Sequence, residues 1–156
     1  MRIVSWNCNG ALRKKLPQLL SLNADIYLIQ ECENPEGSID RSYKDWANGS
    51  LWVGRNKHRG LGVFSSSARL AMLDWDSNGL ESFLPFTIDN KITALGVWTR
   101  HANSPTFRYI GQLWKYLQAH KTRVENRRMI ICGDLRRPPV LSSSYVWSPD
   151  ATVPDF

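Results

Sequence analysis

The chain has 156 residues, of which 42% are hydrophobic and 22% charged, which predicts one globular domain at roughly 150 residues per domain. Its seven Trp, five Tyr and five Phe exclude a disordered chain, because such chains are poor in aromatic residues. No run of about 20 apolar residues is present, so no segment is predicted to span a membrane. The polar first residues and the three widely spaced cysteines predict a cytoplasmic protein with buried, reduced thiols.

The net charge of +6 is unevenly divided along the chain. Residues 1–99 carry 11 basic and 10 acidic side chains, whereas residues 100–137 carry 9 basic and 2 acidic ones. The basic segment favours a polyanionic partner such as DNA or RNA, and a solvated basic surface is the alternative. The candidate nucleic-acid-binding residues are Arg100, Arg108, Lys115, Lys121, Arg123, Arg127, Arg128 and Arg136.

Short β-forming runs alternate with turn residues in the first two thirds of the chain. Residues 2–6 predict a strand. The turn-forming residues 7–10 predict its end. Leucines at helical spacing then predict a helix beginning near Lys15. Residues 25–30 predict a strand buried on both faces, and residues 33–50 a polar loop with a short amphipathic piece. Further strands, mostly antiparallel, are predicted at residues 50–54, 60–65, 69–75, 83–88 and 92–99.

The last third predicts one helix and one buried strand. Apolar residues from Ile110 to Leu117 keep the i, i+3, i+4, i+7 spacing of a helix. Residues 129–133 predict a buried strand, after which the pattern stops. We therefore expect an α/β domain over residues 1–135 and an irregular C-terminal tail over residues 136–156.

Three predicted strands end in a polar side chain suited to metal or phosphate chemistry. Asn7 ends the first strand, and Glu31 and Asp134 follow the strands at 25–30 and 129–133. Strand ends are where sheet proteins gather ligands, and carboxylate and amide oxygens suit Mg²⁺. Each residue also has a structural alternative: Asn7 shapes a turn, and Glu31 caps a helix or pairs with an arginine.

Three motifs resemble those of a known family. Residues 3–10, Ile-Val-Ser-Trp-Asn-Cys-Asn-Gly, look like the opening of the endonuclease/exonuclease/phosphatase superfamily. That group includes exonuclease III-type AP endonucleases and deoxyribonuclease I. Residues 25–31, ending in Gln-Glu, resemble the second family motif, and residues 130–135, with Gly-Asp, the third. The resemblance runs from Met1 to Leu135.

The resemblance implies a four-layer α/β/β/α sandwich and Mg²⁺- or Mn²⁺-dependent hydrolysis of phosphate esters, with nucleic acid favoured. It implies that Glu31 holds the metal, with Asn7 and Asn9 beside it orienting metal-bound water or phosphate. Asp134 would orient or deprotonate the attacking water. His101 lies where some members place a His or Tyr facing the phosphate, and a solvent-facing loop histidine is the alternative.

The chain departs from the family pattern in two places. Arg136 stands where members carry Asn two residues after the motif Asp, and no His follows His120 to form the late Asp-His pair. We therefore expect a fold lacking its C-terminal part, with impaired catalysis. Three interpretations stay open: an active nuclease or phosphodiesterase, an inactive relative that binds nucleic acid, and a truncated or frame-shifted product. The sequence does not predict an oligomeric state.

Overall fold

The structure, a computed structural model, describes residues 1–99, 110–125 and 128–135, and the backbone of residues 145–147. In chain order the strands are β1 (Ile3–Asn7), β2 (Ile26–Cys32), β3 (Leu51–Asn56), β4 (Arg59–Ser65), β5 (Leu70–Met72), β6 (Phe83–Ile88), β7 (Ile92–Trp98), β8 (Met129–Asp134) and β9 (Tyr145–Trp147). The helices are α1 (Leu16–Leu20), α2 (Arg41–Trp46), α3 (Ile110–Ala119) and α4 (Lys121–Glu125), and a 3-10 turn covers Leu12–Lys14.

The strands form two sheets, with the orders β3-β4-β2-β1-β9 and β5-β6-β7-β8. Strand β1 runs parallel to β2, and β7 runs parallel to β8, while the remaining pairs are antiparallel. Because β1 and β2 are parallel, their carboxyl ends lie at the same edge of the first sheet. This edge positions two of the three polar residues expected at the site.

The inner faces of the two sheets pack on each other in the centre of the molecule. The first sheet contributes Ile3, Leu28 and Leu61, and the second contributes Leu84 and Phe86. All five are buried, and each buried side chain of this size contributes about 1.5–3 kcal/mol. This apolar layer holds the two sheets together and fixes how their ends meet.

Helices cover the two outer faces. Leu16 and Leu19 of α1 and Tyr43 of α2 pack on the first sheet. Leu113 and Tyr116 of α3 pack on the second. The order helix, sheet, sheet, helix confirms the predicted four-layer α/β/β/α fold.

Most predicted elements lie close to the observed ones. The strand expected at residues 69–75 is shorter, because Trp75 leaves the ladder and stacks on Tyr116, with 6.5 Å between the ring centroids. Helix α4 was not predicted, since its five residues are too few to show a period. No helix among the described residues is long and apolar enough to cross a bilayer. Cys8 and Cys32 are buried and Cys132 is half-buried, and all three thiols are free.

The segment expected to be an irregular tail contains one strand. Residues 145–147 form β9, which pairs antiparallel with β1 through the register Val4↔Val146. The segment predicted to be irregular therefore includes one strand of three residues. A run of three residues is too short to show the alternation that marks a strand in sequence. The other residues from 136 to 156 lie outside the described part.

Candidate active site

Asn7, Glu31 and Asp134 meet at the edge where β1, β2 and β8 end. The Asn7 Nδ2 donates one hydrogen bond to Glu31 Oε1 and another to Asp134 Oδ2, each 3.0 Å long. One amide thus bridges a carboxylate of its own sheet and a carboxylate of the other sheet. The structure brings together the three residues that the strand ends predicted.

A β-bulge places Glu31 on the side of Asn7. The pairing of β2 with β4 runs from Gln30↔Leu61 directly to Cys32↔Gly60, so Glu31 is the extra residue. Its φ is +61°, a left-handed conformation that is uncommon for residues other than Gly. Strict alternation would place Glu31 on the helix-covered face with Ile29. Bulges re-aim side chains in this way beside active sites.

The loop after β1 fixes the orientation of the Asn7 amide. The Asn9 backbone N–H donates to Asn7 Oδ1 at 3.0 Å, which leaves the Nδ2 hydrogens to point at the two carboxylates. The Lys15 Nζ holds the same loop by donating to the carbonyls of Cys8 and, at 2.9 Å, Gly10. Asn7 therefore shapes a turn, as its structural alternative predicted, and it also bridges Glu31 and Asp134.

Asp134 is held through its backbone. The Thr99 N–H and hydroxyl both donate to the Asp134 carbonyl at 2.9 Å, and Thr99 is buried. Gly133, before it, has a φ of +144°, and a Cβ there would lie 1.8 Å from the Val97 carbonyl oxygen. The Gly of the Gly-Asp motif is thus required by the close approach of β7.

Sequence reasoning missed Arg59, which also lies at the site. Its guanidinium Nη1 donates to Glu31 Oε2 at 2.8 Å, and the two side chains are 56% and 18% exposed. Arg59 is the first residue of β4, next to Gly60, which pairs with Cys32 beyond the bulge. The position of the bulge was the missing signal, because it decides which β4 residue faces Glu31.

A second carboxylate, Glu33, lies behind the site under the helical layer. It accepts hydrogen bonds from the backbone N–H groups of Leu12 (2.8 Å) and Arg13 (3.2 Å) and from the Arg13 guanidinium (2.9 Å). Burial alone would raise the pKa of Glu33, but these donors outweigh it and hold that pKa below the ordinary value. Glu33, and not Glu31, is the carboxylate that caps a neighbouring turn.

The donor set fits a hard divalent cation. Glu31 and Asp134 supply carboxylate oxygens, and hydrogen bonds from one nitrogen keep them together. Mg²⁺ is commonly held by one or two carboxylates and retains several waters. Among the described residues, no group of three or more His, Cys, Asp or Glu side chains is placed to hold a metal ion. A site of this kind suits Mg²⁺ or Mn²⁺ better than structural zinc.

The predicted basic residues are only partly described. Lys121 pairs with Glu125 at 3.5 Å, and Arg123 donates to the Asp74 carbonyl while lying over Trp75. Arg128 is exposed and precedes β8, about 20 Å along the strand from Asp134 at 3.3 Å per residue. Lys115 lies on α3. Outside the described residues are Arg100, His101, Arg108, Arg127 and Arg136.

A family comparison agrees with this geometry. The profile of the Endonuclease/Exonuclease/phosphatase family matches residues 4–135, a span that contains all three bridged site residues. The chain belongs to the Endonuclease/Exonuclease/phosphatase family. No curated protein matches the chain.

Solved structures share the fold of this family member at low identity. The 3′ phosphatase NExo from Neisseria, bound to a product DNA hairpin, is 18% identical with a TM-score of 0.56, over 85% of this chain and 56% of that chain. An AP endonuclease from Archaeoglobus fulgidus is 17% identical with a TM-score of 0.56, over 86% and 57%. The human Nocturnin catalytic domain with bound sulfate is 14% identical with a TM-score of 0.50, over 89% and 65%. The chain thus spans less than two thirds of the length of these neighbours.

Proposed function

We propose that this family member is a divalent-metal-dependent phosphodiester hydrolase module that acts on nucleic acid. The observation that carries the proposal is the Asn7 amide bridging Glu31 and Asp134, each at 3.0 Å. Family membership supports hydrolysis of phosphate esters, and the net charge of +6 supports a polyanionic substrate. DNA and RNA are both within this class.

Each residue of the bridge has a distinct role in the proposal. Glu31 would hold Mg²⁺ or Mn²⁺, with Asn9 beside it, and the cation would supply neutralisation of phosphate charge and polarisation of a phosphoryl oxygen. Asp134 takes a proton from the attacking water, for which a positioned carboxylate is suited. Asn7 keeps the two carboxylates together and oriented through its two hydrogen bonds. His101, which follows β7 in the sequence and lies outside the described residues, is proposed to contact the phosphate.

We further propose that the polypeptide of these 156 residues turns over slowly. Arg136 replaces the amide expected two residues after Asp134, and a positioned donor of that kind is worth about 10²–10³-fold in rate. The proposed location is the cytoplasm, which three free thiols support.

Cleavage assays test the hydrolase proposal. The substrates are supercoiled, abasic and single-stranded DNA and RNA, each with Mg²⁺ and with EDTA. Slow cleavage that EDTA and Asp134→Asn both abolish would support the proposed class and its slow turnover. Robust cleavage lost in Asp134→Asn would keep the class and refute the slow turnover. Cleavage that Asp134→Asn leaves unchanged would refute the site.

An inactive nucleic-acid-binding relative is the second candidate. The observation that favours it is Arg136, because an arginine binds phosphate well but does not position water as the family amide does. Binding to DNA or RNA that weakens steeply with salt, about −0.9 in log–log slope per phosphate contact on duplex DNA, with no cleavage above background would select this candidate. A slope near zero on both nucleic acids would refute both candidates.

A further inference from the structure

The hydrogen bond from Asn7 uses one carboxylate oxygen of Glu31, and the ion pair with Arg59 uses the other. Glu31 Oε1 accepts from Asn7, and Glu31 Oε2 accepts from the Arg59 guanidinium at 2.8 Å. A cation bound at Glu31 therefore competes with Arg59 for oxygen lone pairs. It also repels Arg59, because the two carry charge of the same sign within a few ångströms.

The surroundings of Arg59 suit an anion once the guanidinium leaves Glu31. The side chain is 56% exposed at the rim of the site. Residues 55–59 also contain Arg55 and Lys57 and no acidic residue. A guanidinium presents planar, paired donors that match the oxygens of a phosphate.

We propose that Arg59 binds a phosphate of the substrate. Glu31 pairs with Arg59 until a divalent cation binds Glu31 and displaces the guanidinium. This inference rests on the proposed function, because it needs a cation at Glu31 and a phosphate beside it. The exchange couples the two ligands: cation binding frees the phosphate-binding group, and phosphate binding in turn favours the cation.

Arg55 provides a matched control on the same hairpin. Its guanidinium pairs with Glu81 and not with Glu31, and its side chain is 62% exposed. Arg55→Ala and Arg59→Ala therefore remove the same charge from the same hairpin. They differ in which carboxylate loses its partner.

The first measurement is Mn²⁺ titration followed by the electron paramagnetic resonance signal of free Mn²⁺. We expect Arg59→Ala to bind Mn²⁺ about 3- to 10-fold more tightly than the parent, as for removal of one positive charge near a divalent cation. Arg55→Ala should change the affinity less than about 2-fold, because its charge is more distant and more screened. Arg59→Lys, which keeps the charge but not the planar fork, should lie between parent and Arg59→Ala.

The second measurement is the affinity for a fluorescent single-stranded oligonucleotide in Ca²⁺ and in EDTA. Arg59→Ala should weaken oligonucleotide binding about 3- to 10-fold in Ca²⁺. In EDTA the loss should be less than about 2-fold, because Arg59 is then paired with Glu31 and does not contact the phosphate. Arg55→Ala should cost the same in both conditions, as expected for a simple surface charge. The difference between the conditions is therefore specific to the exchange.

The outcomes separate this inference from the proposed function. Equal Mn²⁺ affinity in the parent and in Arg59→Ala, or an equal Arg59→Ala cost with and without Ca²⁺, would overturn the role of Arg59 and leave the metal site standing. If none of the proteins binds Mn²⁺, the proposed metal role of Glu31 fails, and the inference fails with it.

Discussion

Glu31 and Glu33 are the same residue type two positions apart, yet they occupy different environments. Glu33 lies under the helical layer and accepts from two backbone N–H groups and from Arg13. Glu31 lies where the two sheets end and accepts from the side chains of Asn7 and Arg59. Glu33 is thus held mainly by backbone donors, whereas Glu31 is held by side-chain donors.

The type of hydrogen-bond donor explains the difference in role. Backbone N–H groups of a fixed turn cannot leave, so the partners of Glu33 stabilise the fold. Side-chain donors can rotate to another acceptor, so the partners of Glu31 can give way to the proposed cation. The bulge at Glu31, with its φ of +61°, is the backbone feature that separates the two positions.

The largest expected effect is the loss of stability when β8 cannot approach β7. Gly133→Ala places a Cβ 1.8 Å from the Val97 carbonyl oxygen at a φ of +144°, so the backbone must shift. We expect the free energy of unfolding in urea to fall by about 3–5 kcal/mol. Gly79→Ala is the control, since Gly79 also has a positive φ but no atom within 4 Å of its Cβ. An equal loss in both variants would mean that the contact with β7 is not the cause.

Glu33→Gln tests the structural half of the comparison. The change removes the charge that two backbone donors and Arg13 share, and it turns an amide donor toward those donors. We expect the free energy of unfolding to fall by about 2–3 kcal/mol. Glu31→Gln should cost less than about 1 kcal/mol, because its partners are side chains that can rotate away. If Glu31→Gln lowers the free energy of unfolding as much as Glu33→Gln does, the proposed difference between backbone and side-chain donors is wrong.

The pH dependence of stability should follow Glu33. Its pKa is lower in the folded state than the ordinary value of 4.5, so the unfolded chain binds more protons as the pH falls below that value. The stability that Glu33 contributes is therefore present above about pH 4.5 and is lost as the pH drops through the folded pKa. In urea titrations across this pH range, the free energy of unfolding should fall less with decreasing pH in Glu33→Gln than in the parent. Parallel curves would contradict the lowered pKa.

Thr99→Val should have the smallest effect. The hydroxyl of Thr99 donates to the Asp134 carbonyl, which also accepts from the Thr99 N–H. Losing one of two donors to the same oxygen should lower the free energy of unfolding by about 1 kcal/mol. Thr99→Ser keeps the hydroxyl and should recover most of the loss in the same urea experiment. An unchanged free energy of unfolding in Thr99→Val would contradict the contribution of the hydroxyl.

The sequence predicted those parts of the fold and site that depend on local pattern. The buried strand at 25–30 is visible as an apolar run, and Asn7, Glu31 and Asp134 are visible as polar residues that follow strands. Arg59 could not be predicted, because its contact with Glu31 depends on a bulge and on the register of β4. The role of Glu33 also depends on a contact, with a turn some 20 residues earlier in the chain.

The basic count of residues 100–137 stays a prediction for polyanion binding, because Arg100, Arg108, Arg127 and Arg136 lie outside the described residues. Among the described residues of that segment, Arg123 lies over Trp75 and Lys121 pairs with Glu125. Arg59 belongs to the nearly neutral first part of the chain and lies beside Glu31. A count along the sequence does not show which side chains the fold gathers at one edge.

The central claim is that Glu31 is the cation-binding carboxylate of this family member. Mn²⁺ titration of the parent, Glu31→Gln and Glu33→Gln tests this claim most directly. Circular dichroism first shows that each protein is folded. The account predicts that Glu31→Gln weakens Mn²⁺ binding at least about 10-fold, as for loss of the main charged ligand. Folded Glu33→Gln should bind within about 2-fold of the parent, because its carboxylate serves the turn. Mn²⁺ binding that survives unchanged in Glu31→Gln, or that is lost in Glu33→Gln instead, would contradict the account.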